Sequence, residues 1–302
     1  MEHILAILSR RYPQLLFPIA TGTSTSSEYK DAVCFGKNFH GSLDYSLCEK
    51  DWFRCVDTPA GSIDVLLLHD RRDFEKCACA LANRCEPKTI PESVGAFMIS
   101  GLINWEKVRK HLNKQPEDEC FVNGFVWNWL KKNHCDYHDR IILLSSGWYS
   151  GITPEMIGLS DEEWSEKSVT TRLYHEITHF VCRSRSPKNI DVIRDEVFAD
   201  MIGMVAAFGH YDANMAKLFL GIDGTKISGN ARIRYYLKNH DENSVVKEIL
   251  FWISWLENRL AERTEDDIGN IIVNTFDEML DVAGAFDNPV CDLVSQNLGI
   301  RL

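Results

Sequence analysis

The chain lacks any apolar run long enough to cross a bilayer, although apolar residues make up 45% of its 302 residues. A membrane-spanning helix needs about 20 consecutive, predominantly apolar residues. A secretory signal is lacking as well, because residues 1–11 combine an acidic second position with a short apolar run and no small-residue cleavage pattern. The segment indicates an amphipathic helix, and we expect a cytoplasmic protein without a membrane partner.

The chain is also short of positive charge. It has 33 lysines and arginines against 44 aspartates and glutamates, which gives a net charge of −11. A protein that binds nucleic acid needs a basic surface that neutralises phosphates and releases their counterions. The composition therefore argues against nucleic acid as a partner.

Internal repeats and low-complexity tracts are absent, and the length suffices for one large domain or two smaller ones. The hydrophobic patterns predict an α+β protein, with a mixed half at 1–150 that contains a small sheet and a mainly helical half at 151–302. Whether the first half is a separate domain stays open. The segment 245–260 is apolar on more than one side and predicts a deeply packed helix. The strand candidates are 63–69, 94–103 and 140–145, and further helices are expected at 121–133, 245–262 and 268–283.

The ten cysteines show no regular metal-binding spacing. In a chain without an export signal they indicate free thiols in a reducing compartment. Two groups stand out, Cys77 with Cys79 and Cys85, and the string His134-Cys135-x-x-His138, but neither matches a closed zinc module. Buried free thiols are the favoured interpretation, and any role of the first group stays open.

What the chain does contain is the string His175-Glu176-Ile177-Thr178-His179, an HExxH arrangement. Residues four apart on a helix lie one turn above each other on the same face, so both imidazoles can point at one metal ion. Glu176 flanks that point and can accept a proton from water activated by the metal. The motif predicts zinc, nucleophile and base within one turn of helix.

The residues around the motif favour a buried helix. Leu173, Ile177 and Val181 form an apolar stripe on the side opposite His175 and His179. A helix with an apolar back and two histidines in front is what a buried metal site requires. The competing interpretation is two hydrogen-bonded core histidines without a metal.

A second helix, expected at 189–209, supplies carboxylates. Glu196 and Asp200 are four residues apart and therefore share a face. When two histidines bind zinc, a carboxylate is an expected third ligand and water takes the fourth position. A further carboxylate can accept the outer N–H of a ligating histidine and fix its tautomer.

HExxH followed by Glu-x-x-x-Asp on the next helix resembles the gluzincin metallopeptidases, the group that includes thermolysin. The resemblance covers about residues 168–209, and the segment between His179 and Glu196 is slightly shorter than in the best-known members. It implies a zincin-like catalytic core that binds one zinc ion through His175, His179 and Glu196. It also implies Glu176 as the general base and Asp200 as the hydrogen-bond partner of His175.

Other third ligands fit less well. In the metzincin pattern a histidine stands where this chain has Arg185. Cys182 lies on the same helix as both histidines, and three ligands along one helix cannot converge tetrahedrally. Cys135 could correspond to the upstream cysteine of peptide deformylases, but its surroundings do not resemble that segment. Glu196 remains the best candidate.

Hydrolysis by attack of water also needs a donor that stabilises the oxyanion, often tyrosine or histidine. Gluzincin donors follow the third ligand in the chain, so Tyr235 is the first candidate, with Tyr236 and His210 behind it. Arg232 and Arg234 either bind a substrate carboxylate or pair with surplus acids. The resemblance also implies a sheet edge that binds peptide backbone, for which 141–145 and 94–99 are the candidates.

Together these features predict a zinc-dependent hydrolase, a metallopeptidase that acts on a peptide or protein substrate. One alternative is a zincin-like binding or regulatory protein whose zinc is structural. Another is a zinc amidase with a non-peptide substrate. Glu176 argues against the first alternative, because a structural site needs no base beside its ligands.

Overall fold

The computed structural model describes residues 2–112, 132, 134–185, 192–229, 231–237 and 241–260. The helix expected at 268–283 and nearly all of that expected at 121–133 lie outside these ranges. The chain divides into two compact units, the first formed by Met1–Cys55, Ile63–Ile90 and Phe97–Ser145, and the second by Val56–Ser62, Pro91–Ala96 and Ser146–Leu302. The α+β class predicted from the sequence is confirmed.

The first unit combines a four-stranded sheet with helices that precede, interrupt and follow its strands. Its labelled elements are α1 (Ile4–Ser9), β1 (Trp52–Thr58), β2 (Gly61–Leu68), α2 (Arg71–Ala82), β3 (Ala96–Ile103), α3 (Trp105–Leu112) and β4 (His138–Ser145). Shorter helical turns of the same unit are Pro13–Leu16, Thr23–Thr25, Ser27–Tyr29, Lys30–Cys34 and His134–Tyr137.

The strand order in the sheet is β1-β2-β4-β3, and β2 runs parallel to β4 with Asp64 opposite Ile141 and Leu68 opposite Ser145. Ile141 and its three successors are fully buried, as expected of a strand with neighbours on both sides. The expectation that 141–145 is a sheet edge is therefore wrong. The other candidate, 94–99, contributes to β3, which is an edge strand.

The second unit is mainly helical. Its labelled elements are α4 (Asp161–Arg185), α5 (Val192–Phe208), α6 (Ala213–Leu220), β5 (Ile222–Asp223), β6 (Lys226–Ile227), α7 (Arg234–Leu237) and α8 (Glu242–Leu260), with helical turns at Tyr149–Gly151 and Pro154–Ile157. The strands β5 and β6 form a two-stranded antiparallel hairpin.

The helix α4 begins at a capping box. The hydroxyl of Ser160 accepts a hydrogen bond from the backbone N–H of Glu163, while the Glu163 carboxylate accepts from the backbone N–H of Ser160. Farther along, Trp164 is fully buried and donates its indole N–H to the carbonyl of Ile152 at 2.7 Å. These contacts fix the first turns of the helix that carries the two histidines.

The helices α4 and α5 pack closely together and form the centre of the second unit. Of the apolar stripe predicted on α4, Ile177 and Val181 are buried and Leu173 is half-buried. From Asp195 to Val205 every residue of α5 is buried, including the carboxylates Glu196 and Asp200. A helix surrounded by protein on all sides carries acidic groups only where they have partners.

The helix α8 buries one face, contrary to the deep packing expected from its sequence. Its buried residues, Val245, Val246, Ile249, Ile253 and Leu256, recur at helical spacing. Phe251 is 59% exposed because three consecutive apolar residues at steps of about 100° cannot all face one core. Among the described residues, no helix combines the length and apolar character that crossing a membrane requires.

Candidate metal centre

The two histidines of the HExxH string lie one turn apart on α4. Their Nε2 atoms are 2.9 Å apart, and the ring planes are nearly perpendicular at 88°. Both residues are buried, with exposed fractions of 3% for His175 and 4% for His179. The helix therefore directs the two Nε2 atoms toward a common point, as its spacing predicts.

Glu196 of α5 completes a cluster of three potential ligands. Its Oε2 lies 3.5 Å from Nε2 of His175, and its Oε1 lies 3.3 Å from Nε2 of His179. Ligand atoms bound tetrahedrally to zinc at about 2.0–2.1 Å stand about 3.3 Å apart, so these spacings fit a zinc ion. The three residues thus form a buried group that could hold a metal ion.

The outer nitrogen of each ring is held by a carboxylate from α5. Nδ1 of His175 lies 2.9 Å from Oδ1 of Asp200, and Nδ1 of His179 lies 2.8 Å from Oδ2 of Asp195. A carboxylate at Nδ1 keeps the proton on that nitrogen and leaves the lone pair of Nε2 free to bind a cation. Both imidazoles are therefore oriented as metal ligands require.

The cluster is short of positive charge. Asp195, Glu196 and Asp200 bring three buried carboxylates, and the guanidinium of Arg232 supplies one positive charge against them. When both rings are neutral, as metal ligands must be, the balance is two negative charges, which a divalent cation would neutralise. Without a cation a proton takes that place: burial lowers the pKa of His179, but its hydrogen bonds to Asp195 and Glu196 outweigh burial and raise that pKa to about 10.

The pKa of Glu196 is also shifted by its neighbours in the cluster. Burial favours its neutral form, but the hydrogen bond with His179 and the charge of Arg232 outweigh burial and lower its pKa far below the usual range. Its Oε2 accepts no hydrogen bond within the described ranges. The Arg232 guanidinium, 3.7 Å from this oxygen, faces it with a positive charge but without a hydrogen bond, which leaves the oxygen's lone pairs available to a metal ion.

Tyr149 joins the cluster from the turn before α4. Its hydroxyl donates to Oδ1 of Asp200 at 2.6 Å and lies 3.0 Å from Nδ1 of His175. Arg232 donates to the Tyr149 oxygen at 2.9 Å and also to Asp200. Burial raises the pKa of Tyr149 well above its usual value, so the phenol stays a donor and helps to fix Asp200.

The predicted base and the predicted donors lie in different surroundings. Glu176 is half-buried, whereas the residues on either side of it, His175 and Ile177, are buried. Tyr236 of α7 is half-buried, and this burial, followed by the charges of Glu196 and Glu176, raises its pKa. Its hydroxyl therefore lies near both carboxylates. The side chain of Tyr235 lies outside the described part of the chain, and His210 is exposed with its ring 3.1 Å from the carbonyl of Phe208.

The two arginines considered as substrate clamps both have acidic partners. Arg232 pairs with Asp200 and lies 3.7 Å from Glu196, so its charge belongs to the cluster. Arg234 pairs with Glu242 at the start of α8. Pairing with acids is thus the alternative that the structure favours for both residues.

Sequence reasoning missed three groups at this site: the role of Asp195, Tyr149, and the position of Arg232. The signal for Asp195 is present, because an acid directly before Glu196 on an otherwise apolar helix needs a buried partner. Tyr149 and Arg232 lie outside both helices in the sequence, and no spacing rule connects them to the motif.

Comparison with known proteins gives a family but no activity. No curated protein and no solved structure matches the chain. A family model matches residues 2–276, which is most of the sequence, and it describes a family of unknown function. The chain belongs to this family, DUF7005.

Proposed function

We propose that the protein is a zinc-dependent hydrolase that cleaves peptide bonds. The observation that carries this proposal is that Nε2 of His175 and Nε2 of His179 lie 2.9 Å apart and each has one oxygen of Glu196 within 3.5 Å, beside a half-buried Glu176. Two histidines and one carboxylate form a ligand set of catalytic zinc sites, which keep one position open for water or substrate. Zinc held there would supply Lewis acidity, polarising a carbonyl and lowering the pKa of water.

Glu176 has the placement that a general base requires. It follows His175 directly on α4, and its side chain is half-buried rather than enclosed. In the proposed reaction it accepts a proton from the attacking water as the new C–O bond forms at the substrate carbonyl. It then gives that proton to the departing amine nitrogen as the C–N bond breaks. The products are a free carboxylate and a free amine.

Tyr236 is the residue that we assign to the oxyanion. Its hydroxyl lies near Glu196 and Glu176, and burial raises its pKa, so the phenol remains protonated at neutral pH. A neutral donor that faces the reacting carbonyl stabilises the negative charge that develops on the carbonyl oxygen. Tyr235, the first choice by chain order, stays a candidate for the same role.

The remaining groups hold the ligands in place. Asp200 and Asp195 fix the two rings, while Arg232 and Tyr149 fix Asp200. Such neighbours of metal ligands typically change metal affinity or activity by 10–100-fold, on the order of 1.4–2.7 kcal/mol, when they are removed. Their number and burial support a preorganised site rather than two isolated core histidines.

The first experiment is metal analysis of the purified protein beside the variants His175→Ala and Glu196→Ala. We expect the parent to hold zinc in this cluster and each variant to lose it. The variant Glu176→Gln should retain the zinc, because Glu176 is not a ligand. Stoichiometric iron in place of zinc would contradict the proposal, since two histidines and one carboxylate also suit non-haem iron(II).

The second experiment measures hydrolysis of a mixed peptide library, with new amino groups as the readout. Parent protein should release them, and Glu176→Gln should release few or none while still holding zinc. Equal turnover by parent and Glu176→Gln would remove the proposed base. If the zinc-loaded parent releases no amine from peptides but hydrolyses other amides, the non-peptide amidase is the correct alternative. If the zinc-loaded parent hydrolyses neither peptides nor other amides, the zincin-like binding protein is the correct alternative.

A further inference from the structure

A second group of metal-binding side chains lies in the first unit, apart from the HExxH helix. Cys48 and Asp51 stand in one turn just before β1, and His69 follows the last residue of β2. One ligand atom from each of these three residues lies within 4.8 Å of the other two. The group combines a thiol, a carboxylate and an imidazole, the three side-chain types that bind zinc.

Asp51 is the centre of this group. Its side chain is 0% exposed. Its Oδ1 accepts a hydrogen bond from the backbone N–H of His69 at 2.8 Å and lies 3.4 Å from Nδ1 of the same residue. Its Oδ2 is buried and accepts no hydrogen bond within the described ranges. An ionised oxygen in this position needs a cation near it.

The neighbouring imidazole of His3 positions this turn. Its Nδ1 accepts the backbone N–H of Leu5 at 3.2 Å, and its Nε2 lies 3.1 Å from the carbonyl oxygen of Cys48. Oδ2 of Asp51 is farther from Nε2, at 3.4 Å, and makes no hydrogen bond with it. His3 thus leaves Oδ2 of Asp51 available to a metal ion.

The turn at 48–51, which carries two of the three side chains, is preorganised by hydrogen bonds within the protein. The backbone N–H of Asp51 donates to the carbonyl of Cys48 at 3.1 Å. Just before it, the buried carboxylate of Asp73 on α2 accepts the backbone N–H groups of Ser46 and Leu47. Cys48 and Asp51 are thus held near the end of β2 without help from a ligand, which lowers the entropic cost of binding one.

We propose that Cys48, Asp51 and His69 form a second zinc site, distinct from the HExxH cluster. The thiolate selects a soft or borderline cation and excludes magnesium and calcium, which prefer oxygen ligands. A thiolate and a carboxylate together carry two negative charges, which match a divalent ion. The ion joins the 48–51 turn to the end of β2, so its role is to stabilise the first unit. This second site does not depend on the proposed hydrolase activity.

Cobalt(II) tests this site separately, because bound to a thiolate it shows a sulfur-to-metal charge-transfer absorption in the near ultraviolet. The HExxH cluster has no sulfur ligand and cannot produce that band. The folded full-length parent should develop the band on cobalt titration and lose it when zinc is added. Cys48→Ser should abolish it. Cys34→Ser is the matched control, since Cys34 is also a half-buried free thiol, and it should keep the band.

Asp51→Asn keeps the shape of the side chain. It replaces Cys48→Ser as the test variant if circular dichroism shows that Cys48→Ser does not fold. We expect Asp51→Asn to weaken cobalt binding at least about tenfold, because loss of a charged ligand costs no less than the loss of a ligand's hydrogen-bond partner, which costs about 10–100-fold. Two results would overturn the proposal: no sulfur band in the folded parent at saturating cobalt, or a band that survives Cys48→Ser. His175→Ala should leave the band unchanged, so the two sites fail independently.

Discussion

Gly203 of α5 lies against the backbone of Thr171 of α4, so closely that a Cβ atom on Gly203 would stand 2.4 Å from the Thr171 carbonyl oxygen. Real Cβ atoms do not approach an oxygen this closely, so the two helices can be this near only with glycine at position 203. The contact lies one turn before His175 on α4. The close approach of the two helices, which brings Glu196 to both histidine rings, therefore depends on the absence of a side chain at position 203.

Gly203→Ala should therefore weaken the metal centre although alanine is the better helix former. The added methyl costs about 1–3 kcal/mol by overpacking, against a gain of about 1 kcal/mol in helix propensity. We expect a lower unfolding midpoint and zinc affinity at least about tenfold weaker, since a small displacement misaligns the ligands. Zinc titration and thermal unfolding measure both. Gly229→Ala, where a Cβ meets nothing within 4 Å, is the control and should change neither.

Asp195→Asn tests the carboxylate that the sequence did not assign. The amide retains the size of the side chain but loses the charge that holds Nδ1 of His179 at 2.8 Å. Zinc affinity should fall about 10–100-fold while the zinc content at saturation stays unchanged. The exposed Asp223→Asn provides the comparison. Unchanged affinity in Asp195→Asn would mean that this carboxylate only fills a buried position.

The helical part of the site could be predicted because its information is local. A spacing of four residues places His175 and His179 one turn apart on the same face of one helix, and does the same for Glu196 and Asp200 on the next, independently of the rest of the chain. Apolar periodicity indicates α4, whereas the central part of α5 is buried on all sides, and the observed bounds of the two helices contain all four residues. Asp195 was missed because the same-face rule considers only residues three or four apart. Asp195 and Asp200 approach opposite rings and therefore occupy different faces of α5.

Groups from separate segments could not be predicted in this way. Tyr149 precedes α4 and Arg232 follows β6, and only tertiary packing brings them to Asp200. The cluster of Cys48, Asp51 and His69 was missed for the same reason, since it joins a turn to the end of a strand. The strand β4 was recognised, but its place inside the sheet depends on strand order, which hydrophobic patterns do not encode.

Tyr236→Phe separates the oxyanion role from a structural one. Loss of the hydroxyl should lower kcat by about 10²–10³, the usual effect of removing one oxyanion donor, and leave KM and zinc content nearly unchanged. Tyr235→Phe is the paired variant. If Tyr235→Phe lowers kcat and Tyr236→Phe does not, the assignment passes to Tyr235. Steady-state kinetics on one peptide substrate, with zinc measured in each preparation, gives the answer.

The environment of Tyr12 predicts that the stability of the first unit falls in the alkaline pH range. Its hydroxyl donates to Asp139, which also accepts from Asn104 and Lys107 at 2.6 Å each. Burial, and then the hydrogen bond with Asp139, raise the pKa of Tyr12 far above its usual value of 10.0. A raised folded-state pKa contributes stability that is complete below pH 10 and is lost as the pH rises above it, because the unfolded phenol ionises first.

Tyr12→Phe should make the loss of unfolding free energy above pH 10 shallower by about 1.4 kcal/mol per pH unit, the value for one proton. At pH 7 Tyr12→Phe should lower the unfolding free energy by about 1–3 kcal/mol, because Asp139 loses a donor in a buried position.

Tyr211 is the matched control: burial raises its pKa as well, but its hydroxyl has no hydrogen-bond partner within the described ranges. Tyr211→Phe should therefore flatten the alkaline slope without lowering stability at pH 7. Denaturant unfolding at several pH values between 7 and 11 measures both effects, and equal losses at pH 7 in the two variants would contradict the role given to the Asp139 hydrogen bond.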